Sequence, residues 1–114
     1  MFRNKRKKPL NGLIWTDGVI RSIEVDHNVV RLRLEDYCDK IVVVTLTGVS
    51  EAYVRHPLIG DDDLTSINIA RERLSPRADH WQIDLLDDDL NTILTAVFVD
   101  GNYDLESNQS LVLV

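Results

Sequence analysis

Three clusters of acidic residues, 61–63, 87–89 and 100–106, could in principle bind a cation. A calcium-binding EF-hand loop needs oxygen ligands at alternating positions, glycine at the sixth and a bidentate glutamate at the twelfth. A loop that begins at Asp87 has Thr92 and Phe98 at those two positions, and a loop that begins at Asp100 has Leu105 and Leu111. Neither loop fits, so we interpret the clusters as polar β-turns and predict no metal site.

The histidines and the cysteine do not form a recognisable catalytic or zinc-binding pattern. His27, His56 and His80 are too far apart in sequence for the short spacing of zinc ligands, and Cys38 has no second cysteine. Asp36 and Asp39 flank Cys38, and their charges disfavour a thiolate nucleophile. Phosphate-binding glycine loops and nucleophile elbows do not occur. We therefore predict no catalytic residue and no cofactor, with a carboxylate-based hydrolase as a lesser alternative.

Charge is distributed unevenly along the 114 residues. The chain has 13 basic and 19 acidic side chains, a net charge of −6. Residues 1–9 carry five of the basic side chains and no acidic one, which leaves 8 basic against 19 acidic side chains in the remainder. We predict a basic flexible arm at residues 1–10 and one domain at 11–114. An acidic domain repels phosphate backbones, so nucleic acid is an expected partner only for residues 3–8.

The apolar segments are short. No run approaches the roughly 20 residues of a membrane-spanning helix. The basic start leads into Pro9-Leu10-Asn11-Gly12 rather than into the apolar stretch of a secretory signal. A single cysteine also agrees with a reducing compartment. These features predict a cytoplasmic protein without a membrane segment.

Alternation of apolar and polar residues dominates the first half of the chain and predicts β-strands. Val30, Leu32 and Leu34 alternate with charged residues. In the preceding run Val19, Ile23 and Val25 share one side, although Arg21 has the same parity. Residues 40–47 are apolar on both faces, which predicts a central strand covered on both sides. Residues 19–47 are thus expected to form a three-stranded antiparallel meander.

The second half is more ambiguous. Residues 49–55 are expected to form a helical turn with Val49, Tyr53 and Val54 inward. Residues 64–74 fit a helix, but β-branched content favours a strand. Turns are predicted at 75–77, 87–89 and 100–101, strands at 80–85 and 92–99, and an optional edge strand at 111–114. The predicted fold class is an all-β antiparallel sandwich or half-open barrel of six to seven short strands, with at most one short helical turn.

The stretches "WTDGVIRSIEVD", "VVRLRLEDY" and "VVVTLTGVSEAYV", within residues 13–55, carry a family resemblance. They resemble small bacterial all-β proteins that are uncharacterised or classed as immunity proteins of polymorphic toxin systems. The matching positions are Trp15, Asp17, Gly18, Ile20, Ser22, Ile23, Gly48 and Val49, while Thr16 stands where such proteins often have histidine. The resemblance implies a toxin-neutralising role and no catalytic residue.

Together these features predict a non-enzymatic protein-interaction module. Its acidic surface would occlude a basic partner such as a toxin. The predicted partner-binding residues are Asp61, Asp62, Asp63, Asp87, Asp88 and Asp89. One alternative is a small-ligand site lined by Trp15, Tyr53 and Trp81. Another is a homo-oligomer that pairs through Leu111–Val114.

Overall fold

The computed structural model describes residues 8–55 and 67–106, and within these ranges the chain forms nine β-strands. They are β1 (Val19–Asp26), β2 (Val29–Glu35), β3 (Ile41–Thr47), β4 (Glu51–Val54), β5 (Ile67–Asn68), β6 (Arg71–Arg77), β7 (His80–Leu86), β8 (Thr92–Phe98) and β9 (Asp100–Leu105). One sheet has the order β5-β1-β2-β3-β9 and the other β4-β8-β7-β6, and every pairing is antiparallel. The all-β antiparallel sandwich and the 19–47 meander are confirmed. The described residues form nine strands rather than the six to seven predicted, and their division into two sheets corresponds to the sandwich alternative.

The core lies between the two sheets. The first sheet contributes alternate residues such as Leu32 and Val44, and the second contributes Ile83, Leu94 and Phe98, all of them fully buried. Residues on the other face of β3, Ile41, Val43 and Thr45, are only half-buried. That strand is therefore central in its sheet but covered on one face, contrary to the prediction. The described residues include no helix long and apolar enough to cross a membrane.

Two β-bulges shift the alternation where the sequence pattern is irregular. Ile20 pairs with Leu34 but Ser22 pairs with Arg33, so Arg21 is the extra residue of β1. The shift places both Ile20 and Ile23 in the core, although three positions separate them. Val25, predicted to share one side with Val19 and Ile23, is exposed near the hairpin end.

The bulge in β8 works in the same way. Leu85 pairs with Leu94 and Leu86 with Thr92, which leaves Ile93 without a partner on β7. The consecutive residues Ile93 and Leu94 are both fully buried.

A bent ribbon joins the two sheets at one corner. β3 continues into β4 and β8 continues into β9, so the pair β3–β9 of one sheet and the pair β4–β8 of the other are consecutive parts of one ribbon. The bend lies at Gly48, where φ is 65°. A Cβ atom there would lie 2.7 Å from Cγ2 of Val99. The amide of Val99 donates to the carbonyl oxygen of Thr47 at 3.0 Å and holds the corner.

Three local predictions for the second half were wrong. Residues 51–54 form a strand rather than a helical turn, because they pair with β8, and Tyr53 is exposed instead of inward. Residues 75–77 lie in β6, and the turn follows at Ala78. Pro76 is tolerated because β6 is an edge strand that needs fewer backbone donors. Asp100-Gly101 opens β9 rather than a turn.

The ambiguity over residues 64–74 is settled for the described part, from residue 67 onward. Ile67–Asn68 pairs with β1, and Arg71 begins β6, so this part is strand rather than helix. Residues 64–66 and the proposed strand at 111–114 lie outside the described residues.

The segment before β1 closes one side of the core. Leu10, which we assigned to the flexible arm, is buried and belongs to the core. Trp15 is only 4% exposed. It is the first residue of a tight turn, in which the Gly18 amide donates to the Trp15 carbonyl oxygen at 2.9 Å. Asp17, the third residue of that turn, has φ 70°, a conformation that Asp adopts more readily than most residues.

Two hairpin loops have the same construction. Each loop, 36–40 and 87–91, begins with an aspartate. The backbone amide of this aspartate donates to the carbonyl oxygen of the fifth residue, and its carbonyl oxygen accepts the amide of the fourth. The Oδ1 atom of that aspartate accepts two further backbone amides, those of Cys38 and Lys40 in one loop and of Asp89 and Asn91 in the other. The position that favours glycine is occupied by Asp39 at φ 66° and by Leu90 at φ 64°.

Gly18→Ala is expected to lower the free energy of unfolding by about 1–3 kcal/mol, because overpacking forces the backbone to shift. The added Cβ atom would lie 2.9 Å from the Trp15 carbonyl oxygen and 2.8 Å from Cδ1 of Leu34. Urea denaturation measures the change. Asp17→Gly is the matched control and should be neutral or slightly stabilising, since glycine adopts positive φ freely. A Gly18→Ala protein with wild-type stability would contradict the turn geometry.

Leu90→Gly is expected to be more stable than Leu90→Ala by about 1 kcal/mol, because alanine keeps the steric cost of positive φ and glycine removes it. Both changes remove the same exposed apolar side chain, so their difference isolates the backbone conformation. Thermal unfolding of the two variants gives the comparison. Equal midpoints would show that the loop does not hold residue 90 in the left-handed region.

Candidate functional site

A cleft of about 500 Å³ opens between the N-terminal segment, the β2–β3 loop and the end of β9. We call it the edge cleft; it is lined by Gly12, Leu13, Ile14, Asp36, Tyr37, Val42, Tyr103, Asp104 and Leu105. Three of its side chains are large, apolar and exposed: Ile14 at 52%, Tyr37 at 60% and Leu105 at 59%. Apolar side chains gathered in this way are typical of interaction sites, whereas scattered ones are not.

The edge cleft is an uncovered part of the space between the sheets. Leu105 pairs with Val42 and Tyr103 pairs with Val44, so both face the same side as the core residues of β3. Tyr103 is half-buried, but Leu105, one pair closer to the end of the sheet, is exposed. Burial of this inward-facing leucine against a partner would lower the free energy of the complex.

The N-terminal wall of the edge cleft is fixed to β9. The Tyr103 hydroxyl donates to the carbonyl oxygen of Asn11 at 2.9 Å. Gly12 follows with φ 93°, and a Cβ atom there would lie 2.9 Å from that hydroxyl oxygen. The hydrogen bond restrains this wall, and a restrained wall lowers the entropic cost of binding.

The two carboxylates of the edge cleft differ in their surroundings. Oδ1 of Asp36 accepts the Cys38 and Lys40 amides at 2.8 and 2.9 Å and holds the β2–β3 loop. Asp104 is exposed on the outer face of β9 and forms no hydrogen bond or ion pair with another side chain in the described ranges. Asp104 is therefore the carboxylate that can engage a cation or a basic side chain.

Tyr37 presents a neutral phenol to the edge cleft. Its hydrogen bond with the Cys38 side chain raises its pKa above the usual value, and partial desolvation and the nearby Asp36 carboxylate act in the same direction. A phenol with a raised pKa remains protonated near neutral pH and can donate a hydrogen bond. This arrangement suits binding better than nucleophilic catalysis.

The outer edge of β9 pairs with no strand in the part of the chain that the structure describes, and we call it the free edge. The Glu106 amide donates to the Ile41 carbonyl oxygen at 2.8 Å, and in an antiparallel pair such bonds recur at every second residue. Residues 102 and 104 thus bond to β3, whereas the backbone groups of Tyr103 and Leu105 point away from it. No residue in 8–55 or 67–106 forms a backbone hydrogen bond with them on that side.

The acidic turn predicted at 87–89 contains two kinds of carboxylate. Oδ2 of Asp87 accepts a hydrogen bond from Arg55 at 2.8 Å, and its Oδ1 binds two backbone amides of its own loop. The Arg55 bond lowers the pKa of Asp87, and the Asn91 and Asp89 amides lower it further. Asp88 and Asp89 are exposed. Asp61, Asp62 and Asp63 lie outside the described residues.

The three aromatic residues predicted for a ligand site do not converge. Trp15 is buried in the core, and Trp81 is partly buried and packs against the core cluster. Tyr53 pairs with Thr95, whereas Trp81 pairs with Phe98, which is three residues further along β8. Tyr53 is therefore on the opposite face of the second sheet, where it is 56% exposed.

A second cleft contains serine, histidine and acidic side chains, which are the residue types of a hydrolytic site, but their environment differs from that of such a site. It is lined by Ser50, Glu51, Arg77, Ala78, His80 and Val97. Nδ1 of His80 lies 2.8 Å from Oδ1 of Asp79, but the Asp79 side chain is 87% exposed. The orienting acid of a Ser-His-Asp site is buried, so this pair lacks that environment. Within the described ranges, no three His, Cys, Asp or Glu side chains gather as metal ligands do.

Sequence reasoning missed Ile14, Tyr37, Asp104 and Leu105. One usable signal was present, because residues 100–106 alternate polar side chains with Gly101, Tyr103 and Leu105. The Asp-Gly pair led to a turn prediction that obscured this period of two. The convergence of residue 14 with residues 37 and 105 has no local signal at all.

Asp87→Asn is expected to make the free energy of unfolding less dependent on pH in the acidic range. A carboxylate whose pKa is lower in the folded than in the unfolded state stabilises the fold above its unfolded pKa of about 3.9, and this contribution is lost as the pH falls through the lowered value. The variant keeps an oxygen for the loop amides but loses the Arg55 ion pair. As the pH is lowered from about 5 to about 2, the urea midpoint of the variant should fall less steeply than that of the wild type.

Asp88→Asn is the matched control for this pH series. Asp88 is exposed in the same loop, and its substitution changes the net charge equally. It should keep the wild-type dependence on pH. Parallel curves for Asp87→Asn and the wild type would contradict a stabilising ion pair with Arg55.

Comparison with known proteins gives no relative from which a function could be transferred. No family model matches the chain, and neither a curated protein nor a solved structure matches it.

Proposed function

We propose that the protein is a non-enzymatic protein-interaction module whose partner docks on the edge cleft. The observation that carries the proposal is the convergence of Ile14, Tyr37 and Leu105, all exposed, at a cleft beside a sheet edge that no other described strand pairs with. Binding sites combine an apolar centre with a polar rim, and the edge cleft has this composition. Burial of each apolar side chain is worth about 1.5–3 kcal/mol.

The charge of the chain favours a basic partner. Residues 10–114 carry 8 basic and 19 acidic side chains, and Asp104 borders the edge cleft. Complementary charge accelerates encounter and selects against acidic competitors. Together with the resemblance to immunity proteins, this supports a role in which the chain covers the basic working surface of a toxin.

Asp88 and Asp89 are proposed as a further acidic contact, and Asp87 is not part of it. The carboxylate of Asp87 is already engaged by Arg55 and two amides, so its substitution would disturb the loop. The exposed pair can be reversed in charge without loss of those bonds. Asp61, Asp62 and Asp63 remain in the proposal on sequence grounds.

A small-molecule site in the same cleft is the second candidate. Its volume lies within the roughly 300–1,000 Å³ of ligand pockets, and Tyr37 offers a protonated hydroxyl. A thermal-shift screen distinguishes the two, because a ligand at about 100 times its Kd stabilises a protein by about 2.7 kcal/mol.

The double variant Ile14→Ser/Tyr37→Ser is expected to lose its partner. Each substitution removes one apolar contact, and a loss of about 1.4 kcal/mol per contact corresponds to tenfold weaker binding. Proteins captured from an extract of the source cells by immobilised wild type and variant are compared by quantitative mass spectrometry. The expected result is one basic protein that the wild type captures and the variant does not.

Val25→Ser/Tyr53→Ser is the matched control, since it removes one exposed aliphatic and one exposed tyrosine elsewhere on the surface. It should capture the same protein as the wild type. Equal capture by the edge-cleft variant, or loss of capture only in the control, would contradict docking at the edge cleft.

A further inference from the structure

The backbone of β9 and the edge cleft lie side by side, and this arrangement says how a partner would be held. Tyr103 and Leu105 direct their side chains into the space between the sheets, while their N–H and C=O groups point away from β3 along the free edge. An extended segment on that edge would reach both. Its backbone would bond to β9, and its side chains would cover Leu105.

We propose, on the basis of the proposed function, that the partner contributes a β-strand that pairs with the free edge of β9 and alternates apolar with basic residues. Side chains alternate between the two faces of a sheet, so an added strand inherits the alternation of β9. Its inward residues would lie beside Tyr103 and Leu105. Its outward residues would lie beside Asp100 and Asp104, which pair with the outer-face residues Thr47 and Val43.

The charges on β9 select the kind of strand. Asp100 and Asp104 are exposed, and Asp104 has no side-chain partner in the described ranges. Opposite charges on neighbouring strands stabilise a sheet and like charges destabilise it. Lysine or arginine at the outward positions is therefore favoured, and an acidic strand is rejected.

The same charges disfavour a second copy of this chain as the occupant. Pairing of β9 with β9 of another copy would bring Asp100 and Asp104 of one close to the acidic residues of the other. Exposed carboxylates are one of the devices that prevent edge-to-edge association of sheets. The charge pattern thus favours a basic strand over the self-complementary one.

A fluorescent, alternating Val-Lys peptide of about eight residues, close to the length of one strand, is the probe. Fluorescence polarisation with the full chain should show binding at least about tenfold tighter than for a block peptide of four valines and four lysines, which has the same composition. Alternating Val-Glu should not bind. An alternating peptide with N-methyl groups on the edge-facing amides should also bind at least about tenfold more weakly, because it cannot donate to β9.

Protein variants complete the test. Asp104→Lys should weaken the Val-Lys peptide by about tenfold or more, whereas Asp26→Lys, which makes the same charge change on β1, should have little effect. Equal affinity of the alternating, block and N-methylated peptides would overturn strand addition, as would an absence of binding at about 1 mM.

The two proposals can fail separately. If Ile14→Ser/Tyr37→Ser loses the cellular partner while Asp104→Lys retains it and the peptides do not discriminate, the edge cleft is the docking site but the partner is not a strand. If the alternating peptide binds by these criteria and Ile14→Ser/Tyr37→Ser captures the same proteins as the wild type, strand addition stands without the proposed function.

Discussion

The bend of the β3–β4 and β8–β9 ribbon at Gly48 is the constraint on which the rest of the structure depends. It requires positive φ and the absence of a Cβ atom next to Val99, so only glycine fits without a shift. Because the ribbon crosses between the sheets there, β8 becomes an inner strand of the second sheet while its continuation, β9, becomes an edge of the first. An edge strand whose inward face ends in an exposed leucine follows directly from this bend, and it forms one wall of the edge cleft.

The acidic composition of the chain serves two purposes that the fold separates. Asp36 and Asp87 each bind two amides of a hairpin loop, and Asp17 occupies a turn position with positive φ. These carboxylates stabilise local turns and loops, and Arg55 also neutralises the charge of Asp87. Asp88, Asp89 and Asp104 remain exposed. These exposed carboxylates, unlike those of Asp36 and Asp87, can contact a partner without loss of the loop hydrogen bonds.

Much of the fold followed from the alternation of apolar and polar residues, because half-buried strands impose a period of two. This alternation correctly predicted β2, β7, β8 and the first meander. It failed where tertiary pairing overrides local preference. The extra residue Arg21 inverts the parity of β1, Pro76 is accepted on an edge strand, and four residues after Gly48 become a strand because β8 offers them partners. Residue propensities likewise do not predict that Leu90 occupies a loop position with positive φ.

The candidate site was the least predictable part. Its acidic turn at 87–89 was located correctly as a loop, but the role of Asp87 depends on Arg55, which is 32 residues away. The edge cleft brings together segments around residues 12–14, 36–42 and 103–105, and only the register of β3 with β9 shows that they meet. Contacts between segments so distant in sequence have no local pattern.

The two edges of β9 differ: one is hydrogen-bonded to β3, and the other has no backbone partner among the described residues. Residue-resolved amide hydrogen exchange of the free protein by NMR tests this most directly. The account predicts slow exchange for Asn102 and Asp104, which bond to β3, and fast exchange for Tyr103 and Leu105. Uniform protection of all four amides would contradict it, because the edge would then already be covered.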